Sequence, residues 1–304
     1  MARVIVLGSL NMDLIVETSR RPAVGETVVG SGFRTLPGGK GLNQAVAAAR
    51  AGVGTVMIGR VGNDDFGRIL LDLLDREGID ASRVGTDQRA ATGIALITVC
   101  AGDNTIVVAS GANMTLPVDA ADDLEIAHDD VCVAQMETPT ATAEAFFVRA
   151  RGVGARTVLN AAPALPVPAA LLASTGTLIV NEAELAALAN AAVSDSDPIE
   201  HIAAVANALV AVDRRVIVTL GRRGVVGLVH GGAPLVVDGH RADAIDSTGA
   251  GDCFVGNFAA RMALGDRPGE AQRYANAAAA VAVTRRGAAP SMPTASEVRR
   301  LFGQ

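Results

Sequence analysis

Tryptophan is absent from this 304-residue sequence, and tyrosine occurs once. So few aromatic rings leave little material for a nucleic-acid stacking surface. No run of five lysines or arginines occurs and the net charge is −6, which argues against non-specific binding to a phosphate backbone. A small phosphorylated ligand stays open, because a helix N-terminus holds an anion without net basic charge. The three cysteines, Cys100, Cys132 and Cys253, are odd in number and far apart. That disfavours a disulfide framework or a zinc site and fits a reduced, cytoplasmic setting. The apolar run in the opening MARVIVLGSLNMD is too short for a signal peptide, and the longest soft stretch, 275–283, is far below membrane-spanning length.

What the sequence does have is apolar content, half of its residues, dominated by alanine and valine. At this length it suits one large α/β domain or two small ones. Val4–Leu7 is a short β-branched run closed by Gly8, the pattern of a strand buried on both faces. Similar strands are expected at 56–58, 131–134, 157–159, 177–180 and 216–219. Helical patterns lie between, at 42–50, 66–76, 141–151, 183–189 and 199–212. Such alternation predicts a mostly parallel sheet with helices on both faces. Residues 28–36, 92–99 and 105–109 break it, reading as strands of a small accessory sheet with a turn at 101–104. The segment TGIALITV at 92–99 is apolar at nearly every position, so both its faces are expected to be covered, one of them by a partner subunit.

The strongest chemical signal is DSTGAGD at 246–252, ahead of a helix at 253–264 whose apolar stripe is Phe254, Phe258 and Met262. Gly249, Ala250 and Gly251 form a small-residue turn whose N–H groups suit an anion at the helix N-terminus. A carboxylate at Asp252 is a poor structural choice beside a phosphate, but it suits a base that takes a proton from an attacking hydroxyl. In isolation, an acidic residue complementing the helix dipole explains it as well. PGGKGLN at 37–43 lets backbone amides approach a ligand and supplies Lys40 and Asn43 as donors; it is not a Walker A loop, because Gly41 follows the lysine. Asn11 and Asp13 in GSLNMD follow the first strand, where open α/β sheets bind ligands, and no dinucleotide fingerprint follows it. Asn181 in NEAE is a natural helix cap, and Glu184 within the same motif has the chemistry for a water-bridged role at magnesium. TLGRRG at 219–224 is a strand end and turn that fits beside a nucleotide.

Taken together and in this order, the motifs resemble the ribokinase (PfkB) family of carbohydrate kinases. The resemblance runs along nearly the whole chain. It takes in VGETV at 24–28, GGKGLNQAVAAAR at 38–50, GNDDFG at 62–67, GAN at 111–113, QMETP at 135–139, NAAPA at 160–164 and AAAAVAVTRRGAAPS at 277–291. It implies a three-layer sandwich over residues 1–304 as one domain, with a β-sheet lid from about 14–36 and 91–109. It further implies ATP-dependent phosphorylation of D-ribose at O5, magnesium with the ATP, activation by potassium, and a homodimer joined through the lid. Asn11, Asp13, Gly39, Lys40, Gly41, Asn43 and Glu137 would bind the sugar. Asp252 would be the base, with Gly249, Ala250 and Gly251 as anion hole. Asn181, Thr219, Gly221, Gly224, Gly251 and Asn276 would border ATP. Asp246, Thr248, Ala282, Arg285, Gly287 and Ser291 would enclose potassium, several through backbone carbonyls. Leu42 stands where relatives often have alanine and Val180 where many have proline; Leu42 either tightens the sugar site or packs the helix. A nucleoside kinase of the same family is the nearest rival, and a sugar-sensing protein without catalysis is the rival of another class. The first wants an aromatic or broad apolar pocket for a base, and the second would be expected to lose Asp252 or its glycines. A phosphofructokinase would need more cations than Lys40 to hold a substrate phosphate.

Overall fold

The computed structural model describes residues 1–100 and 103–303. Its elements begin with β1 (Val4–Leu7), β2 (Asn11–Thr18), β3 (Gly32–Gly38), α1 (Lys40–Arg50), β4 (Thr55–Gly62), α2 (Asp65–Arg76) and β5 (Asp80–Asp87). There follow β6 (Gly93–Cys100), β7 (Asp103–Ala109), β8 (Val131–Ala134), α3 (Thr140–Gly152), β9 (Arg156–Asn160), α4 (Ala169–Ala173), β10 (Thr177–Asn181), α5 (Glu182–Ala189) and α6 (Ile199–Asn207). The last third carries β11 (Arg215–Thr219), β12 (Gly224–Leu228), β13 (Leu235–Asp238), α7 (Ala250–Ala263), α8 (Pro268–Ala282) and α9 (Ala295–Phe302).

Strand β1 explains the layering. All four of its side chains are fully buried, and they alternate between two separate cores. Val4 and Val6 enter a core shared with α1, α2, α7, α8 and α9. Ile5 and Leu7 enter one shared with α3, α4, α5 and α6. A strand covered by helices on both faces has no use for polar residues, hence the uninterrupted VIVL. The large sheet runs β13-β12-β11-β10-β9-β8-β1-β4-β5, parallel except near one edge, where β12 is antiparallel to both β11 and β13. From β1 the chain steps outward to β4 and β5, then returns to β8 on the other flank and proceeds to β11. The direction reverses between β1 and β8, so the loops after these two strands diverge and leave a crevice at their carboxyl ends.

The smaller sheet has the order β3-β2-β6-β7. On β6 the side chains alternate: Ala95 and Ile97 pack inward with Ile15, whereas Leu96 is 49% exposed. Val107, opposite Leu96, and Phe33 are exposed on the same outer face. The single chain therefore covers one face of β6 and leaves an apolar one open.

The expected elements are present with several shifts. The strand expected at 28–36 is Gly32–Gly38, because its register is set by pairing with β2, from Glu17 opposite Gly32 to Asn11 opposite Gly38. Val28 and Val29 have strand-forming side chains but no ladder to join, and Val29 is exposed. Asn11 and Asp13, expected just after the first strand, lie in β2. The helix expected to run to residue 212 ends at Asn207, where the chain turns through an Ala211–Arg214 bridge into β11. Helix α7 begins at Ala250, before the expected 253, so Asp252 sits inside its first turn. Of the turn expected at 101–104, residues 101 and 102 lie outside the described residues. Among the described residues no helix is long and apolar enough to cross a membrane.

Candidate active site

The crevice beside β1 is built by close backbone approach. Gly39, with φ of 93°, caps α1; a side chain there would strike Asn11 N and Ser9 O. A Cβ on Gly41 would lie 2.6 Å from the backbone of Gly8 and Ser9. These glycines therefore pin the start of α1 against the loop after β1. Leu42, also in this turn, is fully buried in the core, so it packs the helix.

Residues far apart in sequence meet here. Asn11 and Asp13 are two apart on β2 and share its inner face. Asn113, in the turn Gly111–Thr115, donates from Nδ2 to Asn11 Oδ1 at 2.7 Å. Glu137, after β8, accepts from Ser9 Oγ and, at 3.3 Å, from the backbone N–H of Lys40. Asn43 donates from Nδ2 to Asp252 Oδ2 at 2.9 Å, and Gln44 donates from Nε2 to Asp252 Oδ1 at 3.0 Å. Sequence reading named Asn43 and Asp252 but missed Ser9, Gln44, Asn113, Gln135 and Asn160. The last four are isolated amides. The signal they did carry is a polar side chain at a buried position: Gln44 among alanines of α1, Gln135 after VCVA and Asn160 after TVL.

A cavity of about 170 Å³ joins the two halves of the site. Lys40, Gly249, Gly251 and Asp252 line one side, and Asn181, Glu184 and Thr219 the other. Among the described residues, the N–H groups of Gly251 and Asp252 have no hydrogen-bond partner, while that of Ala250 donates to Ser247 O at 3.2 Å. Unpaired N–H groups at the start of a 14-residue helix are suited to an anion. Glu184 completes a capping box: Asn181 Oδ1 accepts from Glu184 N at 2.8 Å, and the carboxylate accepts from Asn181 N and Nδ2. Gly221 and Gly224 flank the turn after β11, both with positive φ. Asn276 on α8 donates to Asp238 O at 2.8 Å.

The remaining predicted positions form one unit beneath the start of α7. Asp246 accepts from the backbone N–H groups of Thr248 and Gly287, each at 2.9 Å. Ser291, fully buried, donates from Oγ to Ala288 O. The Arg285 side chain turns away to Glu297, and Arg285 N donates to Ala282 O. Burial would raise the Asp246 pKa, but the bonds from Thr248 and Gly287 outweigh it and hold the carboxyl below its ordinary value.

The family model of pfkB carbohydrate kinases matches residues 1–295. The chain belongs to this family. It is 35% identical to the ribokinase of Bacillus subtilis over 304 residues, covering 99% of this chain and 100% of the relative. It is 37% identical to the ribokinase of Haemophilus influenzae over 298 residues, covering 96% and 95%. The structure of Arabidopsis thaliana ribokinase complexed with ribose and ATP superimposes with a TM-score of 0.89 at 33% identity, covering 99% of each chain.

The candidate site is crowded with acids. Burial, then the neighbouring Glu137 and Asp252, push the Asp13 carboxyl up to about 7. Burial also raises Glu184. Burial alone would lower Lys40, but Asp252, Glu137 and Glu184 outweigh it and hold the ammonium above its ordinary value. Among the described residues neither the Asp13 carboxylate nor the Lys40 ammonium has a hydrogen-bond or ion-pair partner, so both are available to a ligand. Because the folded state holds the Asp13 proton more tightly than the unfolded chain, stability falls as pH rises from the ordinary carboxylate range to about 7. A ligand hydroxyl that donated to Asp13 would favour its ionised form, so ribose binding through this carboxylate would tighten from pH 6 to pH 8 with proton release. Calorimetric titration in buffers of different ionisation enthalpy checks this; Asp13→Asn should bind more weakly and without that pH dependence.

Proposed function

We propose that this chain transfers the γ-phosphoryl group of ATP to the O5 hydroxyl of D-ribose, giving ribose 5-phosphate and ADP, with Asp252 as general base. The observation that carries the reading is the shared cavity. Lys40 and Asp252 border it from the sugar side and Asn181 and Thr219 from the other, with the free N–H groups of Gly251 and Asp252 between them. Ribose as the sugar is supported by the relatives, which are ribokinases over their full length.

Asn11, Asp13, Gly39, Lys40, Gly41, Asn43 and Glu137 hold the sugar so that its terminal hydroxyl faces Asp252. The carboxylate takes the proton as the hydroxyl attacks. The start of α7, at Gly249, Ala250 and Gly251, and the Lys40 ammonium offset charge on the transferring oxygens. ATP lies along Asn181, Thr219, Gly221, Gly224, Gly251 and Asn276. Magnesium, carried with the ATP, neutralises phosphate charge. Glu184 suits an indirect hold through water, since each carboxylate oxygen accepts one bond in the cap and keeps a lone pair for another. The lid segments, about 14–36 and 91–109 of a single domain 1–304, exclude water from the transfer. A nucleoside reading is weaker: the sugar pocket is dense in polar groups, and the one phenylalanine of the smaller sheet, Phe33, is 68% exposed. Turnover with ribose should exceed that with adenosine or inosine, and Asp252→Asn should lose ~10²–10⁴-fold in kcat with sugar binding retained. A nucleoside equal to ribose in kcat/KM would overturn the substrate; a near-normal Asp252→Asn would overturn the base.

Potassium is proposed at Asp246, Thr248, Ala282, Arg285, Gly287 and Ser291. The donor set is oxygen only, a carboxylate with backbone carbonyls and hydroxyls, as hard cations prefer. Gly249 lies against Ala288, so an ion there would steady the start of α7 without touching ATP. Activity of ion-depleted enzyme should rise on adding potassium and not on adding tetramethylammonium at matched ionic strength.

A homodimer through the smaller sheet is proposed from the exposed, paired Leu96 and Val107, with Phe33 exposed on the same face beyond β2. Leu96, whose side chain faces outward, is the residue to change. Leu96→Asp should convert a dimer to a monomer by light scattering at micromolar concentration while leaving the fold intact.

A further inference from the structure

Asp252 is held by more than its neighbour Asn43. Gln44 is fully buried, and its Nε2 lies 3.0 Å from Asp252 Oδ1 and 3.0 Å from Asn160 Oδ1. Its Oε1 accepts from Gln135 Nε2 at 2.7 Å. Asn160 is oriented in turn, donating from Nδ2 to Ile179 O at 3.3 Å. The chain of bonds has one direction. Turning the Gln44 amide over would set its oxygen against a carboxylate oxygen and against Asn160 Oδ1, and would face its NH2 toward the donor of Gln135. Asp252 and Asn160, the latter tied to Ile179 O, therefore determine which way Gln44 points, and Gln135, whose own Oε1 has no hydrogen-bond partner, completes the arrangement as donor.

We propose that Gln44 is a positioning residue for the general base, and that Gln135 and Asn160 act through it. By this route a side chain on α7 is registered to the ends of β8, β9 and β10, the crevice where the sugar lies. Hydrogen bonds on both oxygens of Asp252 leave little rotational freedom, so the lone pair offered to the sugar hydroxyl keeps a fixed direction. Asn43 is placed in the sugar site as well as on the base; Gln44, buried behind the carboxylate, serves the base alone.

The proposal rests on Asp252 being the base, and the experiment separates the two. Gln44→Met keeps the length and burial of the side chain and removes its amide. With ATP and ribose, kcat should fall about tenfold or more, while KM for ribose changes far less. That split of kcat against KM is the readout, because a general loosening of the site would weaken ribose binding as well. Gln135→Met, which does not touch the base, should lower kcat in the same way and by less. A folded Gln44→Met enzyme with wild-type kcat overturns the positioning role. So does a loss of kcat that only tracks the folded fraction. If Gln44→Met does not fold, Gln135→Met decides alone, and an unchanged kcat overturns the proposal. An active Asp252→Asn enzyme would instead overturn the base assignment itself.

Discussion

Taking a carboxylate out of water is costly unless its oxygens regain hydrogen bonds. Asp252 is 7% exposed, and the side chains that bond its two oxygens come from consecutive residues of one helix, α1. Those bonds form only if α1 and α7 lie almost in backbone contact. A Cβ on Gly256 would fall 2.4 Å from Gln44 O, so this position on α7 admits no side chain. Around it the facing residues are small: Ala47 and Ala48 on α1, Ala259 and Ala260 on α7, all fully buried. The alanine-rich composition is thus a condition of the site. Larger residues at these positions would satisfy the same apolar pattern and push the carboxylate away from its donors.

The electrostatics follow from the same enclosure. Asp13, Glu137, Glu184 and Asp252 share a small region with Lys40, the only lysine in the sequence. Every other basic side chain of the Lys and Arg type is arginine. An ammonium is a compact point charge on a flexible stem, whereas a guanidinium demands room for a planar fork and partners for five donors. In a crevice whose walls are glycine backbone, the smaller cation fits. The surplus of acid, with Asp13 raised to about 7, leaves the unliganded site short of positive charge and rich in acceptors. Hydroxyl-bearing ligands that donate hydrogen bonds suit such a place better than anionic ones, except at the free N–H groups of α7.

The buried layers were legible because their patterns are strong. Val4–Leu7 and Val131–Ala134 match the expected strands at both ends, since a strand buried on two faces is apolar throughout and its apolar run is closed by Gly8 in one case and by Asp130 and Gln135 in the other. β5 escaped notice because an exposed edge strand, DASRVGTD, carries no apolar run. β12 escaped because Gly224 and Gly227 dilute its signal, although all five of its residues are buried. α8 was read only as a soft stretch because its alanines face inward on several sides and show little period. In the site, glycine motifs marked where backbone approaches a ligand. The amides behind them lay inside motifs of the family resemblance, Gln44 in GGKGLNQAVAAAR, Asn113 in GAN, Gln135 in QMETP and Asn160 in NAAPA, yet no role attached to them, because a single Gln or Asn is more often exposed than buried. Whether it belongs to a network depends on what lies across from it in space, as Gln135 lies across from Gln44.

A last link joins the two ends of α1. At its start, α1 holds Asp252 through Asn43 and Gln44. At its end, Arg50 donates from Nη1 to Met292 O at 2.7 Å and pairs with Glu77. The segment that Arg50 grips, around residues 287–292, is the one that Asp246 binds through Gly287 N and against which Gly249 rests. Helix α1, the first turn of α7 and this segment therefore brace one another in a closed triangle, in which each side fixes the separation of the other two. Asp246 is thus tied, through residues 287–292, to the start of α7, where the free N–H groups and the Asp252 carboxylate lie.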